Sequence, residues 1–159
     1  MSTNSNIQTR PASIRDKEFI IALLPRLEEF GPPPWRERSQ MLATDIQVLS
    51  EALSNESPGT AIFIAEDDQG VALGFIHLQT GTDYYHHEKH GHIANVIVSP
   101  EGEGRGIGRM LMETGEEWAR TQGYGWLTLS VFAQNVQARE VYQRLGYGQD
   151  IMKYVKKLN

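Results

Sequence analysis

The sequence predicts a mixed α/β domain. Three observations carry that expectation. Apolar residues switch repeatedly between alternate spacing and helical spacing, glycine and proline mark the switches, and no repeat or low-complexity linker interrupts the 159 residues. That length suits one core. The reading therefore places one domain over residues 7–159 behind a flexible N-terminus, residues 1–6. Ile7 to Ile14 alternates weakly and reads as a first strand. Asp16 then stands as N-cap of a helix running to about Phe30, with Phe19, Leu23 and Leu27 at helical spacing. "GPPPW", Gly31 to Trp35, ends that helix, because proline cannot donate to a helix ladder and restricts the residue before it. A second helix spans about Glu37 to Asn55, with Met41, Ile46, Leu49 and Leu53 on its apolar side. Thr60 to Glu66 and Val71 to Gln79 read as strands joined by a turn at Asp67 to Gly70.

The second half repeats the alternation. "TDYYHHEKHG", Thr82 to Gly91, shows neither period and reads as a loop, and His92 to Val98 as a strand. Gly106 to Gln122 is a helix with Ile107, Leu111 and Trp118 on one side; Trp126 to Phe132 is another strand. Asn135 caps a further helix whose stripe is Ala138, Val141, Tyr142 and Leu145, Gly146 ends it, and Ile151 to Lys157 makes a last strand. The predicted order is β-α-α-β-β-β-α-β-α-β around a mixed sheet.

Composition excludes several function classes. There is no cysteine, so disulfides, a thiolate nucleophile and Cys-ligated zinc are ruled out, and chemistry falls to His, Tyr, Ser, carboxylates or a bound cofactor. A net charge of -5 argues against a nonspecific nucleic-acid binder, which needs a broad basic face, and suits a cationic small substrate. No apolar run approaches a membrane span, and Met1 to Asn6 lacks the basic start and apolar middle of a signal peptide, so the expected compartment is the cytoplasm.

The chemistry-bearing stretch is "VSPEGEGRGIGRMLM", in which Gly102, Gly104, Gly106 and Gly108 alternate between a strand and a helix. A dinucleotide fingerprint needs glycine at the sixth position of its window, where Ile107 or Arg109 stands. A phosphate loop of the NTPase type needs Gly-Lys followed by Ser or Thr, and none follows. Successive N–H groups over Gly104 to Gly108 at a helix start form an anion nest, with Arg105 and Arg109 adding positive charge. Its ligand would be a phosphate or pyrophosphate. The alternative is a strand-to-helix turn with no ligand.

That stretch resembles the acetyl-CoA signature of the GCN5-related N-acetyltransferases (GNAT): Val-x-Pro, then Arg/Gln-x-x-Gly-x-Gly/Ala and an apolar helix. "NVQAREVYQRLGY", Asn135 to Tyr147, is similar to the family's later motif. The resemblance is specific from Val96 to Tyr147 and general before it. One departure stands out. The first signature position, usually Arg or Gln, is Glu103, whose side chain is expected to point to solvent while backbone groups do the binding. The resemblance implies a mostly antiparallel central sheet flanked by helices, with acetyl-CoA as co-substrate. The pantetheine arm would pair with Val96, Ile97 and Val98, and the pyrophosphate would lie on Gly104, Arg105, Gly106, Ile107, Gly108 and Arg109. Asn135 would contact the cofactor arm, and Tyr142 would lie near the thioester sulfur as general acid for the leaving thiolate. An aromatic on a helical stripe is also what a core position looks like.

A lysine-like amine must lose a proton before it attacks, at a cost of about 4–5 kcal/mol near neutral pH. Family members often place a carboxylate on the fourth or fifth strand for this; the matching positions here read His92, Asn95 and Ser130. His92 is the expected base, since imidazole titrates near neutrality, although a histidine at the end of a polar loop is also ordinary surface. The run His86, His87, Glu88, His90 gives no metal expectation, because neighbours on one loop rarely converge on one ion. Phe30 and Trp35 are expected to wall the acceptor cleft, with Glu28, Glu29 and Glu37 favouring a cationic amine. The expected activity is N-acetyl transfer to a primary amine by direct attack in a ternary complex, since no cysteine exists to carry the acetyl group. The acceptor would be a polyamine, an aminoglycoside, an amino acid or a protein amine. The resemblance allows a homodimer, with no interface marked in the sequence. The second reading keeps the fold as an acyl-CoA sensor or protein-interaction module without turnover.

Overall fold

The computed structural model describes residues 6–29, 31–55 and 57–159. Residues 1–5 of the expected flexible N-terminus, and Phe30, lie outside them. Strand β1 (Gln8–Pro11) carries Arg10, which fixes the first corner of the chain. Its Nη1 and Nη2 donate to the two carboxylate oxygens of Asp16 at 2.9 Å, and its Nε donates to Glu66 at 2.9 Å. Asp16 is buried and stands at the N-cap position of helix α1 (Lys17–Leu23), yet its side chain does not bond the helix as expected of a cap. It accepts instead from the Ser13 N–H at 2.8 Å, closing a 3-10 turn over Ile14–Asp16. The guanidinium holds the Asp16 carboxyl below the usual carboxylate range.

The first helix is shorter than the expected stretch to Phe30. Pro25 has no N–H and its ring crowds the preceding turn, so the chain tightens to a 3-10 segment, Leu24–Glu28. Helix α2 (Arg38–Ser54) matches the expectation to within a residue at each end.

Strands β2 (Ala61–Glu66) and β3 (Ala72–Thr82) form the expected hairpin. Asp67 Oδ1 accepts from the N–H groups of Gln69 and Val71, both at 2.9 Å, and Gly70 adopts φ +78°, the left-handed conformation that glycine supplies at least cost. Strand β4 (Lys89–Val98) begins earlier than expected. The supposed loop from Thr82 to Gly91 shrinks to residues 83–88, because Gln79 to Thr82 pair antiparallel with His92 to Lys89. Backbone hydrogen bonds made that strand, so side-chain periodicity did not reveal it.

The sheet order is β1-β2-β3-β4-β5, antiparallel throughout except for the parallel pair of β4 with β5 (Leu127–Leu129). Apolar side chains alternate to its two faces. On one face Phe75, Ile97, Ile62 and Ile64 meet Ile20, Leu23 and Leu24 of the first helical stretch and Leu49 of α2. On the other, Leu73, Ile76, Leu78 and Ile93 pack with Ile107, Leu111 and Met112 of helix α3 (Ile107–Thr121). Burying each such aliphatic side chain contributes about 1.5–3 kcal/mol before the entropic cost of ordering it. Among the described residues no helix is long and apolar enough to cross a membrane.

The end of the chain departs from the sequence reading. The strand expected over Trp126 to Phe132 pairs only through Leu127–Leu129, and helix α4 (Val136–Arg144) follows. The expected last strand over Ile151 to Lys157 does not form. Ile151, Met152, Tyr154 and Val155 are exposed, and no described strand edge pairs with them. Strand propensity is realised only against a neighbour, and here none is engaged.

Candidate functional site

Strands β4 and β5 part company early. Gly91, His92 and Ile93 pair with Leu127, Thr128 and Leu129, and there β5 stops. From Ala94 to Val98 the outer edge of β4 has no strand partner among the described residues, while its inner edge stays paired to β3. A β-bulge marks the same place: His77 opposes Asn95 and Leu78 opposes Ile93, which leaves Ala94 as the extra residue of β4. The result is a cleft whose wall carries the open backbone donors and acceptors of Val96 and Val98. Ile97, expected to share this edge, turns its side chain into the core and its backbone groups toward β3, because alternate residues of a strand direct their N–H and C=O to opposite edges.

At the C-terminal end of β4 the chain enters the glycine stretch. Ser99 is buried; its N–H donates to Leu73 O at 2.8 Å and its Oγ accepts from Gly102 N at 3.2 Å, pinning the 3-10 turn Pro100–Gly102. Gly104 and Gly106 adopt φ +73° and +74°, and a Cβ on either would meet no atom of the protein within 4 Å. Gly106 is the N-cap of α3, so the first N–H groups of that helix, from Ile107 on, have no intrahelical acceptor and carry the positive end of the helix dipole. Ile107 itself is buried. Arg109 is exposed and donates to Glu113 at 3.1 Å, a surface pair of small net worth. Glu103 does extend into solvent, but it also has a partner: Arg26 Nη2, from the 3-10 segment after α1, donates to its carboxylate.

The catalytic candidates lie on different sides. His92 sits opposite Thr128, and its Nδ1 is 2.8 Å from Thr128 Oγ1. Burial, with His90 nearby, holds its pKa below the usual imidazole value, so it is neutral near pH 7. Strand alternation places His92 on the α1–α2 face together with Asn95 and His77. Tyr142 packs on the α3 face, edge to face with Tyr147 at 6.3 Å between centroids. Burial raises its pKa, so it stays protonated. Between α3 and α4 a shallow cleft of about 450 Å³ is lined by Arg109, Met112, Glu116, Val141 and Arg144. Asn135 caps α4 through Oδ1, which accepts from Ala138 N at 3.2 Å.

Loops meet on the α1–α2 side of the sheet. Arg36 lies 5.8 Å from the Phe132 ring centroid, joining the α1–α2 connection to the stretch after β5. Trp35 is more than half exposed, so it borders solvent, and the Glu37 carboxylate accepts from Ser39 Oγ at 3.0 Å. Asp45, on α2, has its carboxyl pushed up by burial and by Glu28. Ser130 is exposed just past the end of β5. Among the described residues no three His, Asp or Glu side chains are grouped to hold a metal ion.

Two residues of this region escaped the sequence reading. His77 is completely buried, and neither ring nitrogen closes a hydrogen bond of normal geometry, although Asn95 faces it across the pairing; burial lowers its pKa. The signal was present: one polar residue, two positions from Phe75, inside the apolar run Ala72 to Leu78. Arg26 offered no local signal, because its partner is 77 residues away.

A mixed sheet that opens beside free N–H groups at a helix start is an arrangement able to take an extended, phosphate-bearing ligand. The sequence model of the acetyltransferase (GNAT) family matches residues 22–147. The chain belongs to that family. Among curated proteins it is 28% identical over 130 residues to human N-acetyltransferase 8, a match spanning 81% of this chain and 56% of that protein. It is 32% identical over 93 residues to the mycothiol acetyltransferase of Rhodococcus erythropolis, spanning 56% of this chain and 30% of that one. The match thus spans about half of the first relative's length and less than a third of the second's. The aminoglycoside N-acetyltransferase AAC(6')-Iy, solved in complex with CoA, shares the fold at a TM-score of 0.72 and 20% identity, over 99% of both chains.

Proposed function

We propose that residues 7–159 act as one N-acetyltransferase domain that moves the acetyl group of acetyl-CoA to a primary amine. The observation that carries this reading is the unpaired outer edge of β4 from Ala94 to Val98, which runs straight into the glycine nest at the start of α3. An extended amide-bearing arm adds to such an edge as a strand would, and a pyrophosphate suits the N–H groups beyond it. Acetyl-CoA has both parts in that order. Val96 and Val98 hold the pantetheine amides, the backbone of Gly104 to Arg109 holds the pyrophosphate, and the Asn135 amide reaches the arm.

The amine attacks the thioester carbon while both substrates are bound. His92, neutral at pH 7, takes the amine proton, directly or through one water, and the backbone N–H of Val98 receives the developing oxyanion. The C–S bond then breaks. Tyr142 gives its proton to the departing sulfur, so free CoA and an N-acetyl product leave and both side chains exchange protons with solvent. Asp45, Glu28 and Glu37 support a cationic acceptor. The mycothiol and aminoglycoside enzymes above make small-molecule amines the first classes to try, with protein amines next. A homodimer is supported by the exposed apolar side chains after Asp150 and by the outer edge of β5, which lies at the end of the sheet.

The test is release of free CoA from acetyl-CoA across a panel of polyamines, aminoglycosides, amino acids and peptides, followed by a thiol reagent. Amine-dependent release confirms transfer. Binding of acetyl-CoA without release under any amine supports the sensor reading instead.

A further inference from the structure

Glu103 puts a negative charge directly before the nest, where a diphosphate would be repelled. The structure gives this carboxylate a specific companion. Arg26 Nη2 donates to Glu103 Oε1, joining the 3-10 segment Leu24–Glu28 to the loop ahead of α3. Arg26 is presented from a firm base, since Leu23 and Leu24 beside it are buried in the core of the α1–α2 face. Its side chain is only a quarter exposed. Its remaining N–H groups form no hydrogen bond to a described residue; Nη1 reaches Glu29 only at 4.0 Å. A guanidinium is a planar fork with five donors, so one nitrogen can stay on a carboxylate while others meet a phosphate oxygen.

We propose that Arg26 is a diphosphate ligand delivered to the cofactor site from the acceptor-side segment, and that Glu103 is the anchor that holds it beside the nest. The inference rests on the acetyl-CoA reading above and adds a residue to it. It adds to the expectation that backbone groups, with Arg105 and Arg109 nearby, do the binding there: the cation absent from position 103 arrives through space from position 26.

A double-mutant cycle decides the matter. Acetyl-CoA affinity is measured by calorimetry for wild type, Arg26→Ala, Glu103→Gln and the double variant, with acetyl-pantetheine, which lacks the diphosphate, as the second probe. The expected result is that Arg26→Ala weakens acetyl-CoA about 10-fold to 100-fold, as loss of a charge-assisted hydrogen bond does, and leaves acetyl-pantetheine unchanged. The double variant is expected to remain weak, and Arg26→Lys to recover part of the loss. If Arg26 merely neutralised Glu103, the double variant would regain wild-type affinity, and the proposal would be overturned. Unchanged affinity in Arg26→Ala overturns it as well. Wild type that binds neither probe sinks the acetyl-CoA reading itself, a different failure. Equal loss for both probes with a lowered melting temperature marks a structural role for Arg26 and also counts against the proposal.

Discussion

Gly106 and Gly108 are two residues apart, yet the structure assigns them opposite fates on replacement by alanine. Gly106 has φ +74°, a conformation that costs an L-residue about 1–2 kcal/mol. A Cβ there meets no protein atom within 4 Å, so no clash adds to that strain. For a chain of this size about 1 kcal/mol moves the midpoint by about 2–4 °C, so Gly106→Ala should melt about 2–8 °C lower and still fold. Gly108 lies inside the first turn of α3 with no positive φ, and its Cβ would stand 3.7 Å from Val98 Cγ2, an ordinary contact. Gly108→Ala should gain about 0.5–1 kcal/mol of helix propensity and melt slightly higher. Cofactor affinity separates the two again. With the diphosphate over Gly106, as proposed, a methyl group there should displace one or two charge-assisted N–H contacts and weaken acetyl-CoA about 10-fold to 100-fold. Gly108→Ala should bind as wild type does. Scanning calorimetry and titration with acetyl-CoA give all four numbers. If Gly106→Ala binds acetyl-CoA like wild type, the nest is a turn and not a binding site.

Further outcomes follow from the same geometry. Tyr142→Phe keeps the packing against Tyr147 and should keep acetyl-CoA affinity, while amine-dependent CoA release falls by about 10²–10⁴-fold; an unchanged rate removes the acid role. For His92, whose pKa lies below 6.5, kcat/KM of wild type should fall as pH drops through that value. His92→Ala should lose that acidic limb, and a retained limb assigns the base elsewhere. Stability should follow pH in the same direction. In the unfolded chain His77 and His92 take up protons near pH 6.5, whereas folded they do so only at lower pH. Their contribution is therefore complete above 6.5 and is lost as pH falls through the folded values. Melting temperature should decline from pH 7.5 to 5.5, and His77→Gln should flatten that decline. Deleting the residues after Asp150 should convert a dimer to a monomer by light scattering; wild type that is monomeric at high concentration discards the homodimer.

The first two thirds of the fold were legible because their signals are local. The turn at Asp67 to Gly70 is built by one aspartate and one left-handed glycine, and α2 by an uninterrupted helical period bounded by residues within one position of those expected. Local signals failed where a partner from far along the chain decides the outcome. Asp16 looked like a cap because nothing nearby reveals that Arg10 and Glu66 close around the same corner. Glu103 looked like an exception to a signature because Arg26 is invisible from its neighbours.

The end of the sheet shows why such failures gather at the site. Trp126 to Phe132 has the composition of a full strand, and in the same register a strand of that length beside β4 would pair beyond Ile93 as far as Val96. In the structure β5 stops at Leu129, the bulge at Ala94 turns β4 at the same level, and the edge that the composition would close stays open. Unsatisfied backbone groups on an edge are costly to bury and hazardous to expose. A chain that keeps them free beside the start of α3 leaves an edge that a strand-like ligand can complete. The conflict between what residues 126–132 favour alone and what they adopt in the fold thus singles out the open edge of β4, the place where the proposed cofactor site is to be tested.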